Sequence, residues 1–197
     1  MVVDAYKVVL YLHLLSLLLG IGAATLIWLC LFRLRAAQTL EEAAPWGMLA
    51  GKTERAFPVA IVGLYGTGAY LTADAWEWDT SWIIVSIVAL AVVALQGPLV
   101  GGRRAKLLEH ALRANGPGPL GGEARRLTRD PALWIVSFAN PAVVLGIVWN
   151  MTQKPGTAGA VAAVLVAYAV GAVLALRFSK APAGSHPRRA PAGGRYT

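Results

Sequence analysis

Along this chain the apolar positions show neither helical nor strand alternation; they come in blocks, separated by short stretches that hold nearly all the charge. Five blocks stand out, at about residues 8–32, 57–73, 82–100, 132–151 and 157–176. Each runs roughly 17 to 25 residues, which at about 1.5 Å per residue matches a hydrocarbon layer about 30 Å thick. An all-α fold follows: a polytopic membrane protein, a bundle of five transmembrane helices over residues 1–178. The second block is the shortest and carries Gly63, Gly66 and Gly68. If it did not cross, however, the basic loops on its two sides would fall on opposite faces.

Composition agrees with the pattern. The chain has 197 residues, of which 57% are hydrophobic and 14% charged, more apolar surface than a soluble domain of that length buries. The net charge of +8 does not point to nucleic acid, because the charges lie between and after the apolar blocks. All but Lys7 and Lys154 of the 18 lysines and arginines fall in the first and third connections or after the fifth block. The other side carries Asp4, Asp74, Glu77 and Asp79. The positive-inside rule then puts the N-terminus outside and the C-terminus in the cytoplasm. Trp28, Trp46 and Trp134 are expected near the inner ends of the helices, and Trp76, Trp78, Trp82 and Trp149 near the outer ones. The first block follows an acidic start and precedes its basic cluster, so it reads as a retained helix and not a cleaved signal. Cys30 is the single cysteine and reads as a small apolar residue.

The connections carry local signals. Thr39 and Glu42 stand at capping-box spacing ahead of a short surface helix with Leu40, Trp46 and Leu49 on its apolar side. After the third block an amphipathic turn or two leads to a Gly and Pro cluster, with His110 solvated. Residues 179–197 are rich in Pro, Gly and Arg and predict a disordered basic cytoplasmic tail able to touch anionic lipid.

Polar side chains inside the blocks are the functional candidates. Thr25, Thr67, Gln96 and Asn140 each lie roughly 10 to 15 Å from the cytoplasmic ends of their helices by helical rise, which predicts one polar layer drawn from four helices. Pro98 and Pro141 lack amide protons and free the carbonyls of Ala94 and Ser137, groups that Gln96 and Asn140 are placed to satisfy. A layer of this kind serves helix packing, or else a pocket for a small solute or a quinone head group. His13 is the only histidine within a helix block, and helical rise sets it near the outer edge, away from that layer. Asp74, Asp79, Ser86 and Asn150 are the polar residues within reach from neighbouring helices. Ser16, Gly20 and Ala24 continue its face as a stripe of small residues that admits another helix or a flat cofactor. As a haem b ligand, His13 would supply an axial ring nitrogen, with a second subunit needed for a second one.

"GIGA" at Gly20–Ala23 behind His13, then "FPVAIVGLYGTGAYLT" and "WIIVSIVALAVVALQGPL", resemble the bacterial integral membrane proteins grouped as domain of unknown function 2269, over roughly the first 150 residues. That resemblance implies a membrane location and no particular activity. More distantly, a histidine early in the first helix followed by glycine is similar to the copper-resistance D and HemJ-type membrane proteins, which implies haem or copper handling. Met1, Met48 and Met151 form no copper-type cluster with His or Cys. "GLYGTG" at Gly63–Gly68 lacks the strand and the Lys-Ser or Lys-Thr pair of a phosphate loop. No carboxylate lies inside a block to act as a base or proton carrier. The expected role is non-enzymatic: a membrane component that binds a cofactor or partner helices, as a homo-oligomer or within a larger membrane complex. A small-solute transporter using the polar layer is the alternative.

Overall fold

The structure, a computed structural model, describes residues 4–180, which form helices joined by short connections, with no named strand among them. Of the tail expected at residues 179–197, Ser179 and Lys180 instead end the last helix, and the rest lies outside the described residues, as do residues 1–3. Five helical lines are long and apolar enough to cross a membrane. The first is α1 (Ala5–Ala36); α2 (Leu40–Thr53) leads into α3 (Ala56–Ala75). Next, α4 (Ser81–Gln96) runs through a π-helical turn, Gly97–Gly102, into α5 (Arg103–Ala114). A short α6 (Gly122–Leu127) precedes α7 (Pro131–Gln153), and α8 (Thr157–Lys180) ends the described chain. The third block was expected to stop near Val100. Instead the helix continues through the π turn at Pro98, where the missing amide breaks the regular ladder without turning the chain aside.

Side-chain caps set several helix starts. Asp130 Oδ1 accepts from the amides of Ala132 and Leu133 ahead of Pro131 at the first position of α7, while its Oδ2 pairs with Arg104 at 3.1 Å. Thr39 caps α2 as its spacing predicts, accepting from the Glu42 amide. The returning Glu42 carboxylate takes the Gln38 amide, at 2.8 Å.

Two lobes make up the bundle, each held by small residues. In the first, α1 and α3 run antiparallel: Gly20 faces Ala60, a side chain at Gly63 would strike Ser16, and Gly68 lies under the His13 ring. In the second, α7 and α8 form a close hairpin. A Cβ on Gly171 would sit 2.7 Å from Ala139 Cα, and one on Gly146 would sit 3.1 Å from the Ala163 carbonyl. Ala167, Gly171, Ala175 and Ser179 follow one another every four residues along that face of α8. Lipid-length helices gain little from apolar contact with each other when lipid is equally apolar, so close backbone approach supplies the packing. Helix α4 joins this lobe through Ala89 and Leu90 against Val143 and Ile147.

The lobes meet at the end that carries the arginines, here called the basic end. Trp28 of α1 stacks on Phe138 of α7 at 5.0 Å, and Phe32 meets Trp134, Phe138 and Phe178 edge-on. Leu31, Leu34, Ala43, Leu108, Leu112 and Leu127 close the same core from α1, α2, α5 and α6. The aromatic residues expected at headgroup level therefore include core members: Trp134 is fully buried, its Nε1 donating to the Thr128 carbonyl at 2.9 Å. At the opposite end Trp76 meets Trp82 edge-on, and Lys154, in a left-handed conformation, lays its ammonium over the Trp76 ring. The turns α3–α4 and α7–α8 are joined there.

A hydrogen bond ties α1 to α7 beside this core. The carbonyl that Pro141 frees on Ser137 accepts the Trp28 indole N–H at 2.7 Å. The proline break thus becomes the docking point for α1, and Asn140, expected to mend it, does not.

Replacing Trp28 by Phe should leave that carbonyl unpaired and cost about 1–3 kcal/mol in detergent unfolding. In a Pro141→Ala background the new backbone amide reaches Ser137, and the same replacement should cost distinctly less. Gly171→Val should separate α7 from α8 and lower stability by about 1–3 kcal/mol in the same assay.

Candidate functional site

His13 projects from α1 towards α3 and is 7% exposed. Its ring is flanked by Gly68; a Cβ there would sit 3.5 Å from Cε1, an ordinary contact. Nδ1 lies 2.8 Å from Thr67 Oγ1, and Thr67 Oγ1 in turn donates to the Gly63 carbonyl at 2.5 Å. This chain fixes the proton positions. Two oxygens at that separation require a proton between them, and a carbonyl oxygen only accepts. The Thr67 hydroxyl proton is therefore committed to Gly63, so the lone pair of Thr67 Oγ1 faces Nδ1, which must carry a proton. Nε2 makes no hydrogen bond to any described residue. In the neutral ring its lone pair is free, the state in which imidazole binds a metal or accepts a proton.

The pairing corrects the expected placement of these residues. Helical rise measured from the inner ends puts Thr67 and Thr25 at one depth, but those ends are not coplanar. α1 overshoots the start of α3 by about twelve residues, roughly 18 Å. In the α1–α3 register Thr67 stands opposite His13, and Thr25 stands opposite the start of α3. The layer does not assemble: no hydrogen bond joins any two of its four members. Thr25 donates to the Ile21 carbonyl of its own helix, and Gln96 donates to the Tyr168 hydroxyl at 3.3 Å. Asn140 leaves its Oδ1 buried and unbonded. The small-residue stripe Ser16, Gly20 and Ala24 is covered by α3, so a flat cofactor does not lie along it.

Gln96 and Tyr168 stand at one end of an apolar groove of about 350 Å³ between α4 and α8, walled by residues such as Val88, Val92, Val161 and Leu165. Of the residues considered as neighbours of His13, Asn150 is fully buried but reaches α8, where its Nδ2 donates to the Ala160 carbonyl at 3.2 Å. Asn150 Oδ1 and Ser86 Oγ are sealed without partners. Their helix faces, continued by Ile147 and Ala89, pack together one turn deeper. His110 is exposed on α5. Among the described residues no group of three or more His, Cys, Asp or Glu comes together to hold a metal ion. Sequence reasoning missed the Thr67 partner of His13. The signal was present in the four-residue spacing of Gly63 and Thr67, which lets a threonine return its proton to its own helix and accept across the interface.

Family models, curated proteins and solved structures yield no match to this chain.

The tautomer is directly measurable. ¹⁵N NMR of ring-labelled His13 in detergent at neutral pH should show a protonated Nδ1 and a pyridine-type Nε2. In Thr67→Val that preference should be lost or reversed, whereas Thr67→Ser should retain it.

Proposed function

We propose that this chain is a multi-pass component of a bacterial inner membrane that binds a cofactor through His13, with haem b as the group its chemistry suits. The observation that carries the reading is the Gly63–Thr67–His13 chain, which spends Nδ1 on a hydrogen bond and leaves Nε2 free. Histidines that bind metals are commonly oriented in this way by a partner on the second nitrogen. Thr67 would hold the ring, and His13 Nε2 would provide the axial bond. Bound haem would supply a one-electron couple at its iron. His13 is the one histidine within an apolar block, and His110 is exposed on α5, so a second axial ligand would come from another copy or a partner subunit.

The orientation that goes with this reading places the N-terminus outside and the basic end in the cytoplasm, supported by the sorting of lysine and arginine. His13 then lies in the outer half of the membrane. The role is that of a binding or redox accessory component and not of an enzyme. The permease alternative rests on a shared polar layer, and Thr25, Thr67, Gln96 and Asn140 each bond elsewhere or stand alone.

Protein purified from haem-replete cells should carry a Soret band, absent in His13→Ala. Thr67→Val should weaken haem affinity by about 10- to 100-fold. Wild-type protein that shows no Soret band and takes up no added haem would remove this reading.

A further inference from the structure

Arg35 sits one residue before the end of α1 at the basic end and is only 9% exposed. Its guanidinium carbon stands 5.7 Å from the centre of the buried Trp134 ring, and its Nε is sealed with no hydrogen-bond partner among the described residues. The ion pairs among those residues are Lys7–Asp4, Arg104–Asp130 and Arg113–Glu109, so Arg35 has none. All ten carboxylate side chains of the protein fall within the described residues. No aspartate or glutamate elsewhere in the chain can therefore neutralise it.

The surroundings add positive charge and no negative charge. Arg129, exposed in the turn between α6 and α7, directly follows Thr128, whose carbonyl holds the indole N–H of the same Trp134 ring on which Arg35 lies. Asp130, the acid beside it, is already engaged by the α7 amides and by Arg104. A tryptophan face and the carbonyl end of α1 both favour a cation, but neither replaces a counter-ion for a side chain with so little exposure. Orientation by positive charge alone calls for hydrated arginines and does not account for burying one.

We propose that Arg35, with Arg129, forms a binding site for a phosphate-type oxyanion at the membrane surface of the basic end. A guanidinium fork matches two oxygens of such a group, and the terminal nitrogens of Arg35, unlike its sealed Nε, are open to one and make no hydrogen bond to a described residue. The same chemistry is offered by a phospholipid headgroup and by free phosphate. This site stands apart from His13, at the other end of α1, and does not depend on cofactor binding.

Delipidated full-length protein in a neutral detergent, titrated separately with phosphatidylglycerol and with sodium phosphate against sodium chloride of equal ionic strength, tests the site. At least one of the two should raise the Tm of the wild type by about 3 °C or more. The shift should vanish in Arg35→Met and shrink in Arg129→Gln. A response to phosphate identifies a free anion, and a response to the lipid alone identifies a headgroup. No shift with either probe, or a shift that survives Arg35→Met, overturns the proposal. Should Arg35→Met not fold, the exposed Arg129→Gln decides, and an undiminished shift in that variant likewise overturns it.

Discussion

A helix of membrane-spanning length cannot leave a polar group for water to satisfy, so each such group must find its partner inside the protein. That constraint organises the bundle more than hydrophobicity does. Most of its consequences are single hydrogen bonds between helices. Trp28 reaches the carbonyl freed by Pro141, Asn150 reaches Ala160, Tyr65 reaches Ile87, and His13 meets Thr67. Each bond joins helices that the apolar surface alone would leave free to slide. Thr25 and Ser137, which find no such partner, bond back to their own helices, whereas Ser86 Oγ stays sealed without one.

Small residues decide which helices come close enough for those bonds to form. Gly146 and Gly171 let α8 lie on α7, and Gly63 lets α3 lie against Ser16 of α1, with Gly20 and Gly68 on the same interface. The His13 site is a product of the second approach: a side chain at Gly63 would strike Ser16 and push apart the helices that bring the ring and the Thr67 hydroxyl to 2.8 Å. Packing and candidate chemistry thus share residues on α1 and α3. At the basic end a different rule holds. There an aromatic and leucine core built by α1, α2 and α5–α8 buries a tryptophan completely and an arginine nearly so. Loop backbone is drawn into it as well, with Leu40 and Leu120 amides crossing between the two connections to Gly118 and Gln38.

The two ends of α1 therefore carry two separate kinds of chemistry. Near its start, a neutral ring nitrogen is held ready by a relay that uses no charge. Near its end, a permanent cation is buried beside a second one. They are too far apart along one rigid helix to act on a single ligand.

The sequence by itself determined what can be read from runs and local spacing. Block length and composition gave five membrane-length helices, with boundaries short by one to four residues at most ends. Capping spacing gave Thr39 and Glu42, and proline chemistry gave the free Ser137 carbonyl. His13 stood out because an ionisable group in an apolar run is rare. What only the tertiary structure decided was the relative axial placement of the helices. Depth counted from each helix's own end assumes that the ends are level. A 32-residue α1 beside a 20-residue α3 shifts that reference by several turns. Thr67 therefore leaves the expected layer and meets His13, and Trp28 instead of Asn140 answers Pro141. Arg35 lies against the Trp134 ring with its Nε sealed. Register between antiparallel helices depends on which small residues face each other, and helical rise within one segment carries no record of that.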